Sequence, residues 1–208
     1  MSEELFLNVA DRISRTEAEG PGRRYALWVQ GCPLRCPHCC NPHMLEDVEA
    51  TLLSVSELSA EICSTKDIEG ITLIGGEPFS QANALGLLAE NVRSEGLSVM
   101  VFTGFTLAQL TRSKNEGHHR LLASTDLLVD GPFVHEKRVT DRRWIGSSNQ
   151  QVHFLTERYA HLSESANGWD QGSNTIEIRL KGDQLLINGF PHPSLTELLS
   201  SGLKTRGQ

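Results

Sequence analysis

Three cysteines within eight residues are the feature of this chain best suited to chemistry. Cys32, Cys36 and Cys39 follow the spacing C-x3-C-x2-C in a loop that also contains Pro33 and Pro37. Thiolates this close in the chain can converge on one metal centre. Structural zinc sites and electron-transfer clusters use four protein ligands, whereas a reactive site keeps one position open. The count of three therefore indicates a [4Fe–4S] cluster with one iron left to bind a small molecule.

The remaining cysteines are interpreted differently. Cys40 directly follows Cys39, and adjacent side chains diverge, so we expect Cys40 to be a neighbour of the cluster and not a fourth ligand. Cys63 stands alone on a predicted helix, where a buried small apolar side chain is the simpler interpretation. On the cysteines alone, a zinc site is the alternative to an iron–sulfur cluster.

Length and charge restrict the other classes of function. The chain has 208 residues, enough for one core, and a net charge of −7 without any basic run. A nucleic-acid or anionic-membrane partner is therefore not expected. The N-terminal residues 1–4 lack the order of a secretory signal, and no apolar stretch approaches the roughly 20 residues that span a bilayer. Clustered cysteines do not resemble a disulfide framework, so the sequence predicts a cytoplasmic protein.

The cysteine loop must be positioned by the elements around it, and these alternate between strand and helix. A predicted helix over 55–64 begins with the capping box of Ser54 and Glu57, Ser80 is expected to cap a second helix, and Thr106 with Gln109 caps a third. Each buried strand ends at unusual residues. The strands and the residues that follow them are Tyr25–Gln30 before the cysteines, Ile71–Ile74 before Gly75-Gly76-Glu77-Pro78, Leu97–Phe102 before Thr103-Gly104, and Asp126–Val129 before Asp130-Gly131-Pro132.

This alternation predicts an α/β fold with right-handed βαβ units and a mostly parallel sheet. Parallel barrels build their active sites at the carboxyl ends of the strands. There are too few units for a closed eight-stranded barrel, so we expect a partial, open βα barrel. A doubly wound sheet is the alternative.

The ends of the chain extend this core. A short leading strand is expected at Leu5–Val9 and a last core strand at Val152–Leu155. We therefore divide the chain into a partial-barrel core, residues 1–157, and a C-terminal extension, residues 158–208. The extension is predicted to contain a linker at Ser163–Ser173, a β-hairpin from Ile176 to Ile187 that turns at Gly182-Asp183, and a short helix at Ser194–Leu203.

With these motifs in order, the chain resembles the radical S-adenosylmethionine superfamily. The closer resemblance is to the activating enzymes of glycyl radical enzymes, especially the activases of anaerobic ribonucleoside-triphosphate reductase. It covers about residues 8 to 155. The matching motifs are the Gly20–Arg24 turn, the cysteine loop with Asn41, Gly75-Gly76-Glu77-Pro78, Thr103-Gly104-Phe105, Val129-Asp130-Gly131 and Gly146-Ser147-Ser148-Asn149-Gln150.

The resemblance implies roles for residues of this chain. Cys32, Cys36 and Cys39 would hold three irons, and the fourth iron would bind the methionine moiety of S-adenosylmethionine. Gly75 and Gly76 would let the backbone approach this ligand, and Glu77 would offer an anion to its ammonium group. No side chain beyond the cluster and cofactor is expected to be catalytic. The remaining residues expected near the cofactor are His38, Cys40, Pro78, Thr103, Asp130, Ser147 and Asn149.

The implied reaction is reductive cleavage of S-adenosylmethionine to a 5′-deoxyadenosyl radical, which takes a hydrogen atom from a glycine of a partner protein. The implied partners are a glycyl radical enzyme and a low-potential electron donor such as flavodoxin or ferredoxin. Two alternatives stay open, a radical enzyme that modifies a small molecule or peptide, and a non-enzymatic iron–sulfur or zinc module. Two departures bear on the substrate, because Ile145 stands where the activases carry an arginine and the chain continues for more than fifty residues past the last motif.

Overall fold

The computed structural model describes residues 4–163, 170, 174–181, 184–190, 194 and 198. The strands are β1 (Phe6–Thr16), β2 (Arg24–Val29), β3 (Thr51–Ser54), β4 (Gly70–Gly75), β5 (Ser98–Phe102), β6 (Leu127–Asp130), β7 (Gln151–Phe154), β8 (Ile176–Lys181) and β9 (Gln184–Gly189). The α-helices are α1 (Val55–Ser64), α2 (Ala82–Ser94), α3 (Leu107–Thr111), α4 (Glu116–Ala123) and α5 (Ala160–Ser163). Short 3-10 helices lie at Pro42–Met44, Pro78–Gln81, His135–Lys137 and Glu157–Tyr159.

Seven of these strands form one sheet in the order β3-β1-β2-β4-β5-β6-β7. The four central strands β2, β4, β5 and β6 are parallel and stand side by side in chain order. Right-handed crossovers that always step in the same direction place their helices on one face of the sheet. A doubly wound sheet would reverse its strand order at a switch point, and this sheet does not. The predicted α/β fold, a partial, open βα barrel with a mostly parallel sheet, is therefore confirmed.

Antiparallel strands flank the parallel core on both sides. β1 pairs with β2 and β3, and β7 pairs with β6. The predicted last core strand is thus confirmed, but β1 runs on to Thr16 beyond its predicted end. β3 was not expected, because four residues immediately before a helix give too little alternation to indicate a strand. Register shifts in β1 between Val9 and Asp11 and between Ile13 and Thr16 explain why its alternation breaks.

The helices begin largely as their capping residues predict. The Ser54 hydroxyl accepts a hydrogen bond from the Glu57 N–H at 3.2 Å, and Thr106 and Gln109 form a complete capping box. The expected cap at Ser80 is wrong. Pro78 instead starts a 3-10 turn in which the Glu77 side chain accepts a hydrogen bond from the Phe79 N–H, and α2 begins only at Ala82. Proline favours the first position of a helical turn because it has no N–H to leave unpaired.

Side chains alternate between the two faces of the parallel strands. One face packs against the helices, with Leu27, Leu73, Val101 and Leu128 fully buried in the largest core cluster. The opposite, concave face holds two smaller clusters, which meet at Phe102. One of them contains Ala26, Trp28, Met44 and Ile74, and the other Met100, Leu127, Val129, Trp144, Ile145 and Tyr159.

The C-terminal extension forms the predicted hairpin, in which β8 pairs with β9. Its polar face contacts the end of β1, because Glu177 accepts a hydrogen bond from the Glu17 N–H at 2.8 Å and Arg179 donates to the Arg15 carbonyl at 2.7 Å. Beyond β9, the Phe190 ring lies 6.4 Å from that of Phe102. The predicted linker and the predicted terminal helix fall almost wholly outside the described residues.

Candidate functional site

The cysteine loop leaves the carboxyl end of β2 and is closed by backbone hydrogen bonds. The Gly31 N–H donates to the Met44 carbonyl at 3.0 Å, and the Cys32 N–H donates to the Leu45 carbonyl at 3.1 Å. Across the loop, the Arg35 guanidinium makes two hydrogen bonds to the Glu46 carboxylate, at 2.8 and 3.1 Å. These contacts fix both ends of the loop, so the three cysteines project from a closed frame.

The backbone of this loop is strained at two residues. Arg35 has φ of 47° and His38 has φ of 57°, both in the left-handed region that residues other than glycine rarely adopt. The Cys39 N–H donates to the Cys36 carbonyl at 3.2 Å, which tightens the turn between these two cysteines. Strain of this kind persists only where surrounding contacts hold it, and it concentrates at functional sites.

The three spaced cysteines carry free, partly exposed thiols. A hydrogen bond from Cys40 lowers the pKa of Cys39 to about 6, and the Asn41 N–H reaches its sulfur at 3.4 Å. Burial raises the pKa of Cys36. Cys40 itself is exposed, and Cys63 is exposed on α1, so the expectation of a buried Cys63 is wrong.

This donor set fits a cluster better than a single ion. In the described part of the chain, no three His, Cys, Asp or Glu side chains converge on one metal ion. A tetrahedral zinc needs all its ligands around one atom, whereas the cysteines of a four-iron cluster each bind a different iron and stand farther apart. Three free thiols, one of them readily ionised, are the ligands that iron–sulfur clusters use.

Gly75 and Gly76 bring the end of β4 against the start of the cysteine loop. A Cβ on Gly76 would lie 2.2 Å from the Gly31 carbonyl oxygen, and one on Gly75 would lie 2.6 Å from the Val29 nitrogen. The Gly76 N–H donates to the Val29 carbonyl at 2.8 Å. The sequence predicted that these glycines admit a ligand. In this structure, they are required by close contact within the protein itself.

Glu77 is buried, and its carboxylate joins the ends of β4 and β5. One oxygen accepts hydrogen bonds from the Phe79 N–H and the Thr103 hydroxyl, both at 2.8 Å, and the other accepts from the Gly104 N–H at 2.9 Å. Burial raises its pKa to about 7. In this structure, the carboxylate that was expected to face a ligand's ammonium group therefore accepts three donors from the protein, one of them the Thr103 hydroxyl.

Asp130 is the last residue of β6, at the carboxyl edge of the sheet. Its carboxylate accepts a hydrogen bond from the N–H of Leu107, the first residue of α3, at 2.6 Å, and it stands 3.1 Å from Nε2 of His153. Together with Asn149, it lines an open cleft of about 780 Å³ beside α3. The structure therefore places the Asp130 carboxylate against the first residue of α3 and beside this cleft.

Two further residue groups contact the loop region. The His38 ring lies 4.3 Å from the ring of His135, a residue that the sequence analysis missed. Ser147 and Asn149 hydrogen bond to the backbone at Val134 and Pro132, and Gln150, also missed, bonds to Gly131. The signal for His135 was weak, because a lone histidine in a charged loop has no motif.

The position of the activases' arginine is occupied here by Ile145, which is fully buried. It packs in the concave-face cluster with Trp144, Met100 and Val129. An arginine there would need a partner for its charge inside an apolar cluster. An apolar isoleucine therefore suits this apolar cluster better than an arginine would.

A family described as "4Fe-4S single cluster domain" matches residues 18–153. Among individual proteins, the chain is 32% identical over 145 residues to the anaerobic ribonucleoside-triphosphate reductase-activating protein of Vibrio cholerae, which covers 66% of this chain and 91% of that protein. The protein of the same name from Escherichia coli is 32% identical over 144 residues, 65% of this chain and 91% of that protein.

Two more distant likenesses accompany these. The pyruvate formate-lyase-activating enzyme of Staphylococcus epidermidis is 32% identical over 117 residues, 53% of this chain and 47% of that enzyme. The crystal structure of QueE from Escherichia coli aligns with a TM-score of 0.43 at 21% identity, over 49% of this chain and 53% of that one. That structural likeness is too distant to support a functional argument. Across the part of the chain that the structure describes, every helix is too short or too polar to cross a lipid bilayer.

Proposed function

The chain belongs to the 4Fe-4S single cluster domain family, and on that premise we propose that it cleaves S-adenosylmethionine reductively and activates a glycyl radical enzyme. The observation that carries this proposal is the cysteine loop, which has three free and partly exposed thiols and starts against Gly76 at the carboxyl edge of a singly wound sheet. Relatives that are 32% identical to this chain over the aligned residues are named as activating proteins of a reductase and of a lyase.

In this proposal, Cys32, Cys36 and Cys39 hold three irons of a [4Fe–4S] cluster. A bound cluster and S-adenosylmethionine would supply the electron and the 5′-deoxyadenosyl group from which the hydrogen-abstracting radical comes. His38 and Cys40 stand next to these ligands in the same loop. Pro78 directs the chain after Gly75-Gly76-Glu77 into a 3-10 turn.

The remaining predicted cofactor residues act indirectly. Glu77 and Thr103 join the ends of β4 and β5, so they set the spacing of the edge at which the methionine moiety would bind. Asp130 anchors the first turn of α3. Ser147 and Asn149 bind the backbone that follows β6. The apolar concave face below excludes water from the reacting groups.

The proposed protein substrate is a glycyl radical enzyme, because the relatives' names describe activation of a reductase and of a lyase. The proposed electron donor is a low-potential protein such as flavodoxin or ferredoxin. The proposal includes a cytoplasmic location, where reducing conditions keep clustered thiols free. Residues 1–157 then form the radical-generating core and residues 158–208 an added extension.

A second candidate is a radical enzyme acting on a small molecule or peptide. It is favoured by one observation, the position of Phe190 beside Phe102 at the concave face. About 145 residues of this chain match 91% of the length of the relatives from Vibrio cholerae and Escherichia coli. Those relatives therefore have few residues left that could form an equivalent extension. A residue from the extension could therefore shape a pocket that is specific to this protein.

The first test uses the whole protein, reconstituted anaerobically with iron and sulfide. With dithionite and S-adenosylmethionine, the wild type is expected to form 5′-deoxyadenosine, and Cys36→Ala is expected to form none because one cluster ligand is lost. Cys63→Ala, which removes an exposed thiol on α1, is the matched control and keeps the activity. Product formation by Cys36→Ala at the wild-type rate would contradict the proposal, as would its absence from intact protein.

A second measurement separates the two candidates. Incubation with the purified glycyl radical protein encoded by the same organism is expected to give a glycyl radical signal by electron paramagnetic resonance. Strong 5′-deoxyadenosine formation without any such signal would favour the small-molecule or peptide substrate.

A further inference from the structure

Residues 131–135, here called the strap, lead from the end of β6 to the cysteine loop. The ring of His135 packs on the ring of His38 at 4.3 Å between centroids, with the two planes inclined by 33°. The Phe133 ring lies 6.3 Å from the ring of His135, and the Phe133 backbone N–H makes a hydrogen bond to the Cys36 sulfur. The strap thus contacts the cysteine loop at a strained residue and near a cluster ligand.

The strap is held from behind by three side chains of the Gly146–Gln150 motif. Asn149 donates from Nδ2 to the Pro132 carbonyl at 2.8 Å, and Gln150 donates from Nε2 to the Gly131 carbonyl at 3.1 Å. The hydroxyl of Ser147 accepts a hydrogen bond from the Val134 N–H at 3.2 Å. All three side chains therefore bind backbone groups of the strap.

The motif is itself rigid, so it can serve as a support. The Gln150 side-chain oxygen accepts hydrogen bonds from the N–H groups of Gly146 and Ser147, at 3.0 and 3.1 Å. The Ser148 N–H donates to the Lys137 carbonyl at 2.8 Å, and Ser147 is fully buried. Below it, Ile145 is packed in the concave-face cluster.

We propose that Ser147, Asn149 and Gln150 are positioning residues that fix the cysteine loop through the strap, in place of contacting the cofactor themselves. This inference rests on the proposed function, because it concerns the cluster that the loop would hold. Arg35 and His38 adopt strained backbone angles, which need support from outside the loop. Partners behind metal ligands commonly change metal retention by 10- to 100-fold, and N–H groups near cluster sulfurs tune the reduction potential.

The experiment compares Ser147→Ala with Ser147→Thr in the full-length protein after anaerobic reconstitution, without S-adenosylmethionine. Two quantities are measured, the rate of iron release to a chelator and the cluster's reduction potential by an electron paramagnetic resonance titration. Ser147→Ala is expected to release iron about tenfold faster than the wild type. The reduction potential of its cluster is expected to differ from that of the wild type. Ser147→Thr keeps the hydroxyl and is expected to behave like the wild type. Asn149→Asp, which replaces the donor to Pro132 with a carboxylate oxygen, is expected to follow Ser147→Ala.

The control is Ser98→Ala, which removes a buried hydroxyl at the opposite end of the strands. It is expected to lower the melting temperature without changing iron release. Equal release rates in Ser147→Ala, Asn149→Asp and the wild type would overturn the proposal. So would an unchanged cluster combined with a weaker dissociation constant for S-adenosylmethionine, which would mean direct cofactor contact. A wild-type protein that binds no cluster at all would instead contradict the proposed function.

Discussion

The two ends of the parallel strands differ in which groups they bury and which they leave exposed. At their amino ends, the fully buried Arg24 donates hydrogen bonds to the hydroxyls of Thr72, Ser98 and Tyr159, at 2.7, 3.0 and 3.2 Å. At their carboxyl ends, the cysteine thiols are partly exposed and the loop that carries them is strained at His38. One end buries a charge and surrounds it with partners, and the other leaves reactive groups accessible.

The sheet therefore places a buried, stabilising network at one end of its parallel strands and the reactive thiols at the other. Substitutions at the amino end are expected to change the free energy of unfolding and leave the cluster chemistry of the folded protein intact. Substitutions of the cluster cysteines at the carboxyl end are expected to do the reverse. Parallel barrels divide their two faces in the same manner.

The largest expected effect on stability comes from Arg24→Met. Burial lowers the pKa of Arg24, and its removal leaves buried hydroxyl and carbonyl oxygens without their donor. We expect a loss of about 3–5 kcal/mol in the free energy of unfolding. Urea unfolding of the apoprotein measures it.

The neighbouring arginine provides the control for that measurement. Arg23 is half-exposed and pairs with the exposed Glu17 at 3.2 Å, so Arg23→Met is expected to cost less than about 1 kcal/mol. Similar losses for the two variants would show that the amino end of the sheet does not depend on its buried charge.

The next largest effect is a dependence of the free energy of unfolding on pH, which involves one carboxyl group at each end of the parallel strands. Burial raises the pKa of Glu77, at the carboxyl end, and of Glu19, at the amino end, each to about 7. Between about pH 4.5 and 7, these groups stay protonated in the folded protein and are ionised in the unfolded chain. Stability therefore falls as the pH rises through this window, by at most about 1.4 kcal/mol per pH unit for each group.

Glutamine variants distinguish the two carboxyl groups. Gly189 and Asn188 both donate to one oxygen of Glu19, an arrangement that an amide preserves, so Glu19→Gln is expected to fold well with a shallower pH slope. Glu77→Gln is expected to lose stability at every pH, because its amide nitrogen would face an N–H such as that of Gly104. Unfolding titrations from pH 4.5 to 8 check both, and a slope unchanged in Glu19→Gln would contradict the assignment.

The smallest effect is expected in the hairpin, whose two faces differ. Asn188 donates to the Thr16 hydroxyl at 2.9 Å, so Asn188→Ala is expected to lower the free energy of unfolding by about 1 kcal/mol. Leu180 is 79% exposed, and Leu180→Ser is expected to change the free energy of unfolding by less than about 0.5 kcal/mol. Thermal unfolding measures both. A larger loss for Leu180→Ser would mean that the outward apolar face is covered.

Much of the fold follows from local patterns in the sequence. Turn residues after apolar runs located the four parallel strands, and capping residues located α1 and α3. The cap of α2 was wrong because Glu77, which the sequence presents as a ligand group, closes the turn before that helix. β3 depends on pairing with β1, a distant contact that no local pattern encodes.

The cysteine loop could be located from the sequence, whereas the contacts of the residues around it could not. Cysteine spacing is a local property, and it identified the loop. The actual contacts of Gly76, Glu77 and Asn149 depend on which backbone lies opposite each side chain, and this is set by the sheet register. A sequence motif shows that a residue type is required without showing whether its partner is a ligand or the protein.

The hairpin also joins two segments that lie far apart in the sequence. The Gly189 N–H donates to the Glu19 carboxylate at 2.7 Å, across 170 residues. Because a chain is made from its N-terminus, β1 to β7 are synthesised before the hairpin. Glu19 therefore gains its Gly189 donor only after the strands of the seven-stranded sheet have been made, and a chain that stops before β8 would lack this bond.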